Sequence, residues 1–264
     1  MSVGHYENFP VASLLLPAAL RAPVEVIYRF ARNADDFADE GSDPPEIRLQ
    51  KLQRYREQLD SPAEPLFHQV HKIIREHELP LQLFRDLLDA FSQDVTKKRY
   101  ANFGEVLAYC RRSANPVGRL LLHLFRRATD QNFQWSDSIC SALQLVNFSQ
   151  DVAIDYAKGR IYLPQDEMKR YGVTEQHIAE RRCDDAWRAL IQFQIDRARG
   201  MLQAGAPLGR TLPGRIGLEI RATVQGGLRI LEKLESAHCD VFRQRPVIRW
   251  YDWPLIMARA RYSQ

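Results

Sequence analysis

Cysteine is scarce in this chain, and what there is shows no pattern. Cys110, Cys140, Cys183 and Cys239 lie far apart without CxxC spacing, which argues against a disulfide framework or a zinc site and fits a reducing compartment. No run approaches the ~20 apolar residues a membrane-spanning helix needs. The most apolar early stretch, PVASLLLPAAL, is short and interrupted by Pro17, and no basic segment leads into it. A cytoplasmic protein is expected, with peripheral contact at the inner membrane left open. Clusters of one charge are also missing: 37 Lys and Arg against 33 Asp and Glu leave a net charge of +4, spread along the chain. That is a weak attraction for anions and not a nucleic-acid footprint. There is no GxGxxG fingerprint to suggest a nicotinamide, and neither helix that carries paired aspartates has the Glu-x-x-His spacing of a di-iron bundle.

What remains is helix. Prolines and glycines punctuate long segments of helical periodicity at 23–40, 45–59, 65–77, 80–97, 103–115, 116–129, 184–204, 215–235 and 240–259. Ser136 reads as the cap of another, running to about Ala157. GRIYLP, 159–164, is the one β-like run and reads as a loop after that helix. With 264 residues, 45% of them hydrophobic, and no repeat or linker, the expectation is a single all-α domain over 1–264, a helical bundle around an apolar cavity.

Two acidic stripes stand out. In NFSQDVAIDYAKGRIYLP, residues Gln144, Asn147, Asp151 and Asp155 fall within roughly 80° on a helix whose other directions are largely apolar. Such a helix is normally buried, so its aspartates are expected to face an internal cavity. In YRFARNADDFADE, residues Tyr28, Arg32, Asp35 and Asp39 fall within roughly 60°. Each stripe alone has a plainer reading: a solvated face for the first in the chain, a polar seam between helices for the second. Together they are harder to explain away. Four carboxylates converging on one space need cations, and magnesium suits hard oxygen ligands while keeping positions for diphosphate oxygens.

DDFAD and NFSQDVAID, with RIYLP just after the second, resemble the squalene and phytoene synthase family, all-α enzymes that join isoprenoid diphosphates. The likeness runs from His5 to about Pro164 and thins in the last third. HYENFPVASLLLP and YCRRSANPVG are most similar to its bacterial hydroxysqualene synthase branch, which serves hopanoid biosynthesis. The resemblance implies an isoprenoid synthase fold and Mg2+ held by Asp35, Asp39, Asp151 and Asp155, with Asn147 one turn before the second pair. It places His5, Tyr28, Arg32, Gln144, Asn147, Arg160 and Tyr162 among the substrate-binding groups.

One departure from the family is informative. Squalene synthases commonly carry VAGxVG after tyrosine-cysteine and two further residues, with an aromatic hydroxyl near the glycine. Here Arg111 and Arg112 stand in place of tyrosines and Asn115 in place of the glycine. The implied reaction is therefore the second step alone, on presqualene diphosphate supplied by a separate synthase. Ionisation, rearrangement and capture by water would give hydroxysqualene, with Asn115 and Tyr109 as candidates to position the water. Three alternatives stay open: a presqualene diphosphate, dehydrosqualene or phytoene synthase; a non-catalytic assembly factor of the same family; and, for Asn115-Pro116, a plain helix break. RWYDWPLIMARARY, 249–262, mixes aromatics and arginines in a way that suits a membrane interface or the basic outer face of a packed helix.

Overall fold

The computed structural model describes residues 16–262. Among them are fourteen α-helices: α1 Ala18–Asp39, α2 Pro45–Glu57, α3 Pro65–His77, α4 Leu81–Thr96, α5 Phe103–Ser113, α6 Asn115–Leu124, α7 Asp130–Gln150, α8 Val152–Ala157, α9 Gln165–Arg170, α10 Glu175–Ala179, α11 Asp185–Gly205, α12 Leu208–Thr211, α13 Gly214–Ser236 and α14 Trp253–Tyr262. The only β feature among the described residues is an isolated parallel bridge between Arg99 and Ile161. The fold is all-α.

Two apolar clusters fill the interior. One gathers α1 to α4 around Phe30, Phe67 and Phe84, with rings 5.2 to 5.9 Å apart and packed edge to face, the arrangement aromatic quadrupoles favour. The other surrounds α7, which packs against α5, α6, α11 and α13. Helix α6 joins them, because Leu120, Leu121 and Leu124 enter the first cluster and Leu122 the second.

Several boundaries differ from the sequence reading. The helix expected to start at Ser136 begins at Asp130, because Thr129 accepts a hydrogen bond from the Asn132 amide at 3.2 Å and caps the end; Ser136 is buried inside the helix. That same helix does not run unbroken to Ala157. At Asp151 the backbone leaves helical geometry (φ −105°, ψ 12°), separating α7 from α8, although Asp151 still donates to the Asn147 carbonyl at 2.9 Å. Helix α1 starts before Pro23, which lies inside it. The expected helix over 240–259 is irregular up to a 3-10 turn at Trp250–Asp252 and becomes α-helical only from Trp253; Pro246 cannot supply a helical N–H there.

Candidate active site

The ends of α1 and α8 meet through a loop shaped by one glycine. Gly159 has φ +78°, a left-handed conformation that costs glycine little. Its N–H donates to the Tyr156 carbonyl at 2.8 Å, and the Arg160 N–H donates to the Asp155 carbonyl at 2.8 Å, the paired bonds that close a helix C-terminus. The chain is thereby turned back along α8. The loop is then pinned to the segment after α4: the Ile161 N–H donates to the Lys98 carbonyl at 3.0 Å and the Arg99 guanidinium to the Gly159 carbonyl at 2.6 Å.

This geometry carries Arg160 into the space between the acidic motifs. It is buried, and its two terminal nitrogens donate to both oxygens of Asp39 at 2.6 Å each; Lys158 adds a contact to Asp39 at 2.9 Å. Burial alone would raise the Asp39 carboxyl, but the hydrogen bonds and charge of Arg160 and Lys158 outweigh it and hold the group down at about 2. Two other aspartates go the opposite way. Burial, then the charge of Asp39, pushes Asp35 up to about 7 despite Arg32. Burial also lifts Asp155 to about 7; Arg160 opposes this, and Asp151 and Asp39 add to it. The second motif thus feels the charge of the first, and Arg160 acts on both, binding Asp39 and opposing the rise of Asp155.

The remaining carboxylates are paired with cations. Asp151 takes a bidentate contact from Arg245, one arm at 2.9 Å. Arg32 is shared among Asp35 at 3.0 Å, Asp36 at 2.8 Å and Glu40 at 2.9 Å. The aspartates are half-buried rather than enclosed, and Ile154 between them is exposed, so the motifs lie at a rim and not inside a sealed cavity. Tyr28, Gln144 and Asn147 are half-buried on their expected helices. His5 lies outside the described residues.

Below the rim is an aromatic wall. Tyr162 stacks on Phe148 with centroids 3.9 Å apart and planes 5° from parallel, and Tyr100 and Tyr109 lie 5.4 and 5.5 Å from Tyr162. Asp94, 5% exposed, ties the wall together: it accepts from the Tyr109 hydroxyl at 2.6 Å and from the Tyr162 hydroxyl at 2.9 Å. Burial pushes its carboxyl up to about 6, against the Tyr109 hydrogen bond and the charge of Arg160. Asn115 is buried at the start of α6 and accepts from the Ser141 hydroxyl at 2.9 Å.

Asp94, Lys158 and Arg245 were not singled out from the sequence. Asp94 had a signal, since it shares a helical stripe with the apolar Leu87 and Phe91. Arg245 had none, lying 94 residues from its partner.

A squalene/phytoene synthase family model matches residues 3–252. The chain belongs to that family. It is therefore an enzyme of the prenyl-diphosphate-using isoprenoid synthases. It is 34% identical to a hydroxysqualene synthase of Rhodopseudomonas palustris over 87% of this chain and 80% of that one. Against a 15-cis-phytoene synthase of Synechococcus elongatus the identity is 28%, over 96% and 89%. Among solved structures, the squalene synthase HpnC from Alicyclobacillus acidocaldarius superposes with a TM-score of 0.82 at 34% identity, covering 89% of this chain and 90% of that one. A dehydrosqualene synthase shares the fold with a TM-score of 0.84 at 21% identity, covering 94% and 88%. No helix among the described residues of this squalene/phytoene synthase family member is long and apolar enough to cross a membrane.

Proposed function

We propose that this protein is a hydroxysqualene synthase, converting presqualene diphosphate and water into hydroxysqualene and diphosphate. The observation that carries the reading is Arg160, which binds Asp39 of the first motif, acts on Asp155 of the second, and has its guanidinium 6.0 Å from the Tyr162 ring that stacks on Phe148. The similarity to hydroxysqualene synthases supports it, as does Asn115 in place of the family glycine. The whole chain is read as one catalytic unit.

The donor set fits magnesium in its chemistry. Asp35, Asp39, Asp151, Asp155 and Asn147 offer hard oxygens, and burial, with neighbouring carboxylates adding to it, raises Asp35 and Asp155, a penalty that a bound cation would relieve. Among the described residues no three acidic or His/Cys side chains are gathered as a ready-made metal cluster. Asp39 and Asp151 would exchange their arginine partners for the cation. When bound, magnesium supplies positive charge to the departing diphosphate.

The chain's own residues do the rest. Arg160, Lys158 and Arg245, freed from carboxylates, donate to diphosphate oxygens as the carbon–oxygen bond breaks, with Tyr28, Arg32 and Gln144 as further contacts. Phe148, Tyr162 and Tyr109 present ring faces to the cation left behind. Asn115 and Tyr109 are assigned to holding the water that adds its oxygen and loses a proton. No hydride enters this balance. The hydrocarbon substrate and product imply peripheral contact with a bilayer, at the inner face of the cytoplasmic membrane, and a separate presqualene diphosphate synthase upstream.

The test is product analysis with magnesium and presqualene diphosphate, with and without NADPH, beside Asp151→Asn. Hydroxysqualene formed without NADPH and lost in the variant is the expected result. Consumption of farnesyl diphosphate with presqualene diphosphate untouched would replace this reading with a condensing enzyme, the reading that similarity to phytoene synthases favours. If neither reacts, the family's non-catalytic reading takes its place.

A further inference from the structure

We propose that the outer face of α14, with the turn before it, docks onto an anionic lipid bilayer. The proposal deepens the membrane contact above by naming the surface and the lipid charge it needs. Of the seven large hydrophobic residues exposed among the described residues, five lie between 250 and 262: Trp250, Tyr251, Trp253, Leu255 and Tyr262. Trp250 is 83% exposed and Tyr262 78%. Scattered exposed apolar residues need no explanation, whereas a concentration of them marks a contact surface.

The pattern on α14 is that of a helix lying at an interface. Ile256 and Ala260 are buried against Ala222 of α13. Leu255, Ala258 and Tyr262 fall within about 60° of one another on the opposite side, where a solvated helix would carry polar residues. Arg259 and Arg261 flank that apolar stripe, one on each side; Arg259 is held by Glu232 of α13, and the exposed Arg261 stands as cations do beside an apolar face at headgroup level. The surrounding charge favours an anionic surface. Residues 241–262 contain five arginines and a single acid, Asp252; Arg243, Arg245 and Arg259 pair with Asp240, Asp151 and Glu232, so the outward positive charge rests on Arg249 and Arg261. Asp252 is buried and bonded to Arg229 at 2.9 Å, to Lys233 and to the Arg249 amide at 2.8 Å, so it presents no negative charge outward. Arg215, Arg221 and Arg261 rim the adjoining groove between α13 and α14.

The surface is fixed in place and close to the acidic rim. The Asp252 network holds the turn on α13. Upstream, Gln150 donates to the Pro246 carbonyl at 2.6 Å, and Arg245 grips Asp151. A connection of five residues therefore leads from the second motif to Trp250, as expected of an enzyme whose apolar ligand passes between bilayer and site.

The test is co-sedimentation of the full chain with vesicles of phosphatidylcholine alone, and of phosphatidylcholine mixed with phosphatidylglycerol, with no substrate present. Its failure therefore leaves the reaction reading standing, and the failure of that reading leaves this one. Binding should need phosphatidylglycerol, and Arg249→Ala/Arg261→Ala should weaken it roughly tenfold or more. Trp250→Ala/Trp253→Ala should abolish it while the circular dichroism spectrum stays that of the wild type. Should that variant misfold, the wild type decides alone: its tryptophan emission should shift to the blue on phosphatidylglycerol vesicles and be quenched by brominated acyl chains. Equal partition into both vesicle types, binding by the double tryptophan variant as tight as wild type, or tryptophans that brominated lipid leaves unquenched would each overturn the proposal. So would a dimer in light scattering that the tryptophan variant converts to monomer, since the face would then serve a second copy of this chain.

Discussion

Arg160 and Asp39 stand 121 residues apart in the chain and form a bidentate ion pair, with both contacts at 2.6 Å. The arginine side chain is 7% exposed and the aspartate 15%, so the pair is desolvated and directional. It ties the end of α1, which carries the first acidic motif, to the loop that follows the second.

Breaking one partner should cost more than removing both. Arg160→Ala leaves Asp39 half-buried with only Lys158, and about 3 kcal/mol of stability should be lost by urea denaturation. Arg160→Ala with Asp39→Asn should lose less than Arg160→Ala alone, and so clearly less than the sum of the single losses. Additive losses would show that the two residues do not act as a pair.

The raised carboxyls give the protein a pH signature. Asp35 and Asp155, at about 7 in the folded state against an ordinary value near 4, are protonated in the folded chain and ionised in the unfolded one between those limits. Stability from these two groups therefore falls as pH rises from 4 to 7 and levels off above, where both forms are ionised. Asp39, held at about 2, contributes in the other direction, with stability present above pH 4 and lost as pH falls towards 2. Magnesium with inorganic diphosphate should relieve the first effect, raising Tm more at pH 8 than at pH 5.5. Each 1 kcal/mol relieved is worth about 2–4 °C at this size. A magnesium shift independent of pH, or one that persists unchanged in Asp35→Asn/Asp155→Asn, would remove these carboxyls as its cause.

Asp94 supports the aromatic wall through two buried hydroxyls. Asp94→Ala strands both the Tyr109 and Tyr162 donors and should cost about 2–5 kcal/mol, since each unsatisfied buried hydroxyl carries roughly 1–3 kcal/mol. Asp94→Asn keeps an acceptor and should cost less. It should also remove the fall in stability that Asp94, raised to about 6, contributes as pH rises from 4 to 6. Comparing the denaturation midpoints of the two variants at pH 5 and pH 8 decides the matter; equal losses at both pH values would exclude a titrating Asp94.

Much of this was legible in the sequence, for definite reasons. The helices between 45 and 97 follow proline starts, and α3 and α4 add a clean apolar period, so local signals sufficed. The two acidic stripes were visible because i, i+4 spacing is a property of one helix. What joins them was hidden: Arg160 faces Asp39 only because Gly159 reverses the chain, and Arg245 reaches Asp151 from a loop that helical periodicity had misassigned. The kink at Asp151 also had no local mark, since Asp151 and Val152 carry no proline or glycine signal.

Phe148 offers the most direct test of the aromatic wall in the chemistry. Its ring lies nearly parallel to that of Tyr162, so Phe148→Leu removes a π face while nearly keeping volume, and the fold should lose less than about 1.5 kcal/mol. A ring face in a dry site stabilises a cation by about 0.5–2 kcal/mol, which corresponds to a fall in kcat of roughly twofold to thirtyfold. KM for presqualene diphosphate should change little, because the proposed reaction sets Phe148 against the hydrocarbon cation and not the diphosphate. Early capture should appear as a larger share of unrearranged alcohol among the products by gas chromatography. A variant with lowered stability but unchanged kcat and product ratio would mean that the wall packs the bundle without facing the reacting carbon.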